Sequence, residues 1–273
     1  MLRRLLGDAA IALRTAVWGS GRAHGRDRRE PTNLVPSEDK IFVGGKNFEA
    51  VGEEFLGHFR TLGGLKPGHD VLDVGSGIGR MALPLTTYLS RTAQYWGIEI
   101  VPDGVQWCQN EITPRFPNFR FLQADIRNEK YWPQGRQDAS DYRFPFADRA
   151  FDFVLLTSVF THMFPRDIAH YLSEIARVLR PGGRCFATFF LLTRESLELV
   201  ASGASSQPFR HRREGYMTTN EDVPETAIAL EESFVRSLYA ERGFAVLDPI
   251  HYGRWPGRTR GASYQDIVVS QKR

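Results

Sequence analysis

Apolar positions along the chain follow two alternating periods. Phe48, Val51, Phe55 and Phe59 fall on one face of a helix over 48–60. Gly63-Gly64 ends it and Pro67-Gly68 makes a turn. A short apolar strand follows at 71–74, then a helix over 81–89, a strand at 95–100, a helix over 104–112 and a strand at 119–122. The run at 151–156 is apolar apart from Asp152, as expected of a strand buried on both faces. Ile168, Tyr171, Leu172, Ile175 and Leu179 stripe a helix over 167–179, which Pro181-Gly182-Gly183 stops. A fifth strand at 184–191, a helix over 231–242 and strands at 244–250 and 267–270 complete the pattern.

Strand–helix alternation of this kind predicts an α/β fold, a mostly parallel sheet with helices on both faces. Ligands in such folds bind outside the carboxyl ends of the strands, near the point where strand order reverses. The loops after Val74, Ile100, Gln123 and Leu156 are therefore where chemistry is expected. Two insertions interrupt the pattern. Residues 192–230 read as a substrate lid with Gly203 and Gly215 as hinges. Tyr216, Arg212 and His251, the last at the end of a late strand, are candidate substrate contacts; Arg212 and Arg213 would receive an anion or simply be solvated. Residues 128–143, with Tyr131, Trp132 and Tyr142, form the second insertion.

The charge distribution divides the chain. Residues 1–36 hold seven arginines and three acids, whereas the rest has 28 basic against 29 acidic residues. The body is near neutral and has no basic stripe interleaved with aromatics, so nucleic acid is not an expected partner. Residues 1–36 read as a basic helix and linker, and 37–273 as the catalytic domain. Leu2, Leu5, Leu6, Ala9, Leu13 and Val17 recur at helical spacing beside Arg3, Arg4 and Arg14. That pattern permits peripheral membrane contact through residues 1–18, or packing of the helix on its own domain. No stretch has the roughly 18–20 apolar residues that a membrane span requires. Asp8 and Arg14 interrupt any signal-peptide core. The expected location is cytoplasmic, with membrane association as the variant. Cys108 and Cys185 lack metal-ligand or redox spacing and are expected to be buried thiols. No His, Asp and Glu set has metal-ligand spacing, so metal independence is expected. The Gly-x-Ser-x-Gly elbow of a serine hydrolase is also missing.

The glycine loop after the first strand separates two cofactor classes. Gly75, Gly77 and Gly79 let a ligand approach the backbone. A dinucleotide fingerprint needs G-x-G-x-x-G, but here the sixth position is Arg80 and the third glycine comes one residue early. Asp73 would face a pyrophosphate unfavourably and suits a phosphate-free cofactor with an ammonium and a sulfonium. Glu99 ends the second strand, at the distance where an acid accepts hydrogen bonds from ribose hydroxyls.

The run Asp73-x-Gly75-x-Gly77-x-Gly79 resembles the first motif of the class I S-adenosylmethionine-dependent methyltransferases. Phe144-Pro145-Phe146-Ala147-Asp148 with Phe151-Asp152, and Arg177 to Gly183, are similar to that family's approaches to its fourth and fifth strands. Phe48 to Gly52, Ser158 to Met163 and Ser263 to Ile267 look like a group of small bacterial methyltransferases. The resemblance implies a seven-stranded Rossmann-like sheet whose last strand, near 264–272, is antiparallel. It implies S-adenosyl-L-methionine as cofactor, with Asp125 reaching the adenine amino group and Ile126 packing on the ring. Ser76, Arg80, Ile100 and Thr157 complete the expected cofactor set.

His162, just beyond the fourth strand, is the candidate for the catalytic site, as base, positioning residue or structural histidine. The expected reaction is O-methylation of a small-molecule hydroxyl or carboxyl. Two alternatives remain at this point: an NAD(P)-dependent oxidoreductase, and a non-catalytic cofactor-binding protein of the same fold.

Overall fold

The computed structural model describes residues 34–42 and 47–273. The N-terminal basic helix expected over 1–18 lies outside the described residues. The strands are β1 (Val71–Val74), β2 (Tyr95–Glu99), β3 (Phe119–Gln123), β4 (Phe151–Leu156), β5 (Leu179–Phe189), β6 (Leu191–Leu192), β7 (His211–Arg213), β8 (Tyr216–Thr218), β9 (Ile228–Glu231), β10 (Phe244–Val246) and β11 (Asp266–Lys272). The helices are α1 (Phe48–Thr61), α2 (Ala82–Tyr88), α3 (Pro102–Glu111), α4 (Pro165–Val178), α5 (Arg194–Ala201) and α6 (Glu232–Glu241).

Seven strands form one sheet in the order β10-β11-β5-β4-β1-β2-β3. β11 pairs antiparallel with both β5 and β10, while the β1, β2, β3, β4 and β5 pairings are parallel. Strand order reverses between β1 and β4, so the crevice opens beside the glycine loop. Side chains alternate between two cores. Leu72, Val74, Val154 and Leu156 pack with Ile168, Leu172 and Ile175 of α4 and Val235 and Leu238 of α6. Val71, Phe153 and Leu155 pack with Phe55 and Phe59 of α1, Leu85 of α2 and Cys108 of α3. Helices thus cover both faces, and both cysteines are buried free thiols.

Asp152, the acid in the apolar fourth strand, accepts hydrogen bonds from the Asp70 amide and the Arg180 guanidinium at the strand's entry. Two expectations need correction. The Pro181-Gly182-Gly183 turn lies inside β5: Leu179 pairs with Phe151, the register then shifts, and Arg184 pairs with Phe153. β10 stops at Val246, well short of 250, and His251 meets Ile267 only as an isolated bridge.

Residues 192–230 fold as more than a loop. β7, β8 and β9 form an antiparallel ribbon, and β9 continues onto β6. Phe190, Leu192, Phe209, Ala227, Ala229 and Trp255 close a third core beneath it. Gly203 follows the end of α5 and Gly215 turns the β7–β8 hairpin, both with positive φ. These are turn positions, which glycine occupies without steric cost.

Candidate active site

One cavity of about 670 Å³ opens at the carboxyl ends of β1, β2 and β4. Its size is within the range of small-molecule sites, about 300–1,000 Å³. Its first half is made by backbone. Gly75, Gly77 and Gly79 all have positive φ, so the chain after β1 coils through a conformation that side chains disfavour. A Cβ at Gly75 would stand 2.4 Å from Val159 Cγ2, so the glycine loop and the loop after β4 touch there.

Glu99 is buried and lines the cavity. Its Oε2 accepts the Gly77 amide at 2.7 Å, and its Oε1 accepts the Ile100 and Val101 amides at 2.8 and 2.9 Å. Burial pushes its carboxyl upward against the pull of these donors. Oε2 keeps an acceptor position for a further donor. Asp73 lies beneath the loop, fully buried, with the Tyr95 hydroxyl donating to its Oδ2. Its Oδ1 has no partner among the described residues, nor has the buried Ser76 Oγ on the cavity wall. Burial raises the Asp73 carboxyl to about 7, with Glu99 adding to the rise and the Tyr95 hydroxyl opposing it. The Arg80 guanidinium lies over the Phe48 ring, 5.0 Å from its centre. Gly75, Ser76, Gly77, Arg80, Glu99, Ile100, Ile126 and Thr157 of the expected cofactor set line the cavity.

Asp73 and Asp125 do not line it. The 128–143 insertion explains the second case. It returns beside residues 125–127, pairing Gln137 with Ile126, and Gly135 packs so tightly there that a Cβ would fall 2.2 Å from the Ile126 carbonyl carbon. This brings Arg136 onto Asp125, whose carboxylate accepts its amide and pairs with its guanidinium.

The second half is made by side chains from distant segments. His162 ends a short 3-10 turn, Phe160–His162, beyond β4. Its Nδ1 lies 2.8 Å from the Glu225 carbonyl and its Nε2 3.2 Å from the Tyr131 hydroxyl. A carbonyl only accepts, so Nδ1 carries the proton and Nε2 presents its lone pair. Burial lowers the His162 imidazole below its ordinary value, so it is neutral at neutral pH. The Tyr131 ring meets the imidazole edge-on at 5.0 Å. Behind them, Asn128 Nδ2 donates to Glu225 Oε1 at 3.0 Å and to the His162 carbonyl at 3.2 Å, and the Glu129 amide donates to Glu225 Oε2 at 3.1 Å. Ser158, a non-glycine residue at φ 61, donates to Gln265 Oε1 at 3.0 Å on the same wall.

The three candidate substrate contacts lie elsewhere. Arg212 sits 3.8 Å from Glu231, and Tyr216 packs on Phe164 from outside the cavity wall. His251 is tied to Ile267 through its backbone and does not line the cavity. The insertion instead contributes Gln207, Pro224, Glu225, Thr226 and Ala227. Asn128 and Glu225 carried no mark in the sequence, because they meet His162 and each other across 34 to 97 residues. Tyr131 stood out only as an aromatic of the 128–143 insertion, and Gln265 only within the Ser263 to Ile267 run. Among the described residues, no three His, Cys, Asp or Glu side chains are placed to hold a metal ion. No helix among them is long and apolar enough to cross a membrane.

This sheet order, with a glycine loop after β1 and an acid ending β2, is the architecture of the class I S-adenosylmethionine-dependent methyltransferases. Residues 72–187 match the family described as "Methyltransferase domain". A fatty-acid O-methyltransferase of Mycolicibacterium smegmatis is 35% identical over 130 residues, 46% of this chain and 37% of the relative. Phthiotriol/phenolphthiotriol dimycocerosates methyltransferase 1 of Mycobacterium ulcerans is 32% identical over 142 residues, 51% of this chain and 44% of the relative. The chain thus matches less than half the length of either. Among solved structures, a Pyrococcus horikoshii protein superposes with TM-score 0.58 at 16% identity, covering 87% of this chain and 96% of that one. Magnesium protoporphyrin IX methyltransferase from Synechocystis, solved with bound S-adenosylhomocysteine, gives 0.54 at 17%, covering 86% and 92%. At these identities the superpositions speak for the fold.

Proposed function

We propose that the chain transfers the methyl group of S-adenosyl-L-methionine to an oxygen of a small-molecule acceptor. The observation that carries this is the shared cavity, with the glycine loop and Glu99 in one half and the Nε2 face of His162 in the other. The residues fit the cofactor. Glu99 Oε2 offers an acceptor to ribose hydroxyls, and the unpartnered Ser76 Oγ and Asp73 Oδ1 await polar partners, Asp73 through water. Ile100, Ala124 and Ile126 supply an apolar slot for the adenine ring. Asp125, paired with Arg136, keeps acceptor positions for the adenine amino group.

When bound, S-adenosyl-L-methionine supplies a methyl carbon already activated by sulfonium. The protein's task is then to align the acceptor, exclude water and remove a proton where the acceptor has one. His162, neutral and protonated on Nδ1, is suited to that last step. Relatives named for fatty-acid and phthiotriol-lipid methylation support a small or lipid-like acceptor. Nucleic acid is not a proposed partner.

Titration calorimetry with S-adenosylhomocysteine, NAD and NADP tests the cofactor. Binding of S-adenosylhomocysteine alone is expected; binding of only a dinucleotide would overturn the reading in favour of an oxidoreductase. Glu99→Ala removes a charged acceptor and the brace on Gly77, and is expected to weaken S-adenosylhomocysteine about 10- to 100-fold.

A further inference from the structure

The described cavity wall, taken whole, carries more acid than base. Glu99, Glu129, Asp138, Asp167 and Glu225 are on it, against Arg80, Arg127 and Arg166. Two of the three arginines already face carboxylates. Arg127 lies 3.6 Å from Glu129 and 3.7 Å from Asp138, and Arg166 lies 3.8 Å from Asp167. Arg80 stands at the glycine loop over Phe48, on the cofactor side. Among the described residues no further cation lines the cavity to receive an anionic acceptor, which would enter among like charges, an arrangement that disfavours a carboxylate.

Among the described residues, the surroundings of the basic nitrogen of His162 also point to a hydroxyl acceptor. Nδ1 is closed by the Glu225 carbonyl, and Nε2 is covered by the Tyr131 hydroxyl. Tyr131 lines the cavity and stands edge-on to the imidazole. A tyrosine hydroxyl both donates and accepts, so it can take a proton on its oxygen while giving its own to Nε2. A carboxylate acceptor would have no proton to give to such a pair.

We propose that the acceptor is a neutral alcohol or phenol, and that Tyr131 meets its oxygen and passes its proton to His162 Nε2. The proposal rests on the methyl-transfer reading above. The acceptor oxygen gains the methyl carbon and loses its proton to the Tyr131 oxygen. The original Tyr131 proton moves to Nε2, leaving an imidazolium whose Nδ1–H still donates to the Glu225 carbonyl. Loss of one proton to solvent restores the neutral pair. The donor's sulfur keeps the electron pair of the broken bond.

The test is an NMR titration of the His162 imidazole in protein saturated with S-adenosylhomocysteine, wild type against Tyr131→Phe. The charged groups around the pair are Lys130 on the same loop, Glu99 across the cavity, and Glu225 and Glu129 behind it; the substitution leaves all four in place. Removing the donor to Nε2 is expected to raise the titration of His162 by about half to one pH unit. An unchanged titration overturns the relay. In the same complex, 2-naphthol is expected to bind at least about tenfold more tightly than 2-naphthoate, and 1-dodecanol more tightly than dodecanoate. Tighter binding of either carboxylate overturns the acceptor class. Wild-type protein that fails to bind S-adenosylhomocysteine would count against the methyl-transfer reading itself, whereas a failed relay with S-adenosylhomocysteine bound leaves that reading intact. Tyr131→Phe should keep S-adenosylhomocysteine affinity within twofold, which checks that the variant is folded.

Discussion

The two halves of the cavity are built by different means. The cofactor half is backbone: three positive-φ glycines, and amides that converge on one carboxylate. The acceptor half is side chain, drawn from the loop after β4 and from two insertions that meet only in space. A backbone site can be damaged wherever a side chain intrudes, whatever its chemistry. A side-chain site depends on each group's identity and protonation. The two halves touch at Gly75 and Val159.

Substitutions should therefore separate binding from turnover. His162→Ala should lower turnover of a hydroxyl acceptor by about 10²- to 10⁴-fold while S-adenosylhomocysteine affinity, read by calorimetry, hardly changes. Equal loss of both would merge the two halves. Wild-type kcat/KM should fall on the acid side with an apparent pKa below 6.5, because burial depresses His162 and only its neutral form accepts a proton. Gly75→Ala should do the opposite of His162→Ala, losing S-adenosylhomocysteine binding. It forces a side chain into positive φ and onto Val159, at a cost of about 2 kcal/mol or more, and thermal melting should drop by several degrees.

Smaller effects test the supports. Asn128→Ala removes the hydrogen bonds to Glu225 and to the His162 carbonyl, and should lower the melting temperature by about 2–4 °C for each of the two. A pH-dependent effect concerns Asp73. Its folded carboxyl titrates near 7, above the ordinary 3.8, so the folded state holds a proton that the unfolded chain releases. Its contribution therefore lowers stability as pH rises from about 4 to 7, and the loss is complete above that. Asp73→Asn should flatten the dependence of the ligand-free melting temperature on pH in this window. An unchanged slope would mean that Asp73 is not the buried group responsible.

The same division governed what the sequence revealed. The β1 loop, Glu99, Ile126 and the strand order were legible because each depends on near neighbours or on the sheet's fixed alternation. The pairing of Asp125 with Arg136 of the 128–143 insertion carried no sign in the sequence. Tyr216 and Arg212 stand outside the cavity wall because the 192–230 insertion folds into its own ribbon, a fold that no local spacing announces. His162 was visible from its position after β4, but its tautomer depends on a carbonyl 63 residues away. Tyr131 gave no signal beyond being aromatic in an insertion.

That carbonyl has a consequence for how the site can change over generations. Every residue has a main-chain carbonyl, so no single substitution at position 225 deletes the acceptor that fixes the His162 proton on Nδ1. The insertion can drift in sequence, and with it the shape offered to an acceptor, as long as its path past the imidazole is kept. The histidine's protonation is inherited with the route of the chain, and the choice of acceptor is left to the side chains.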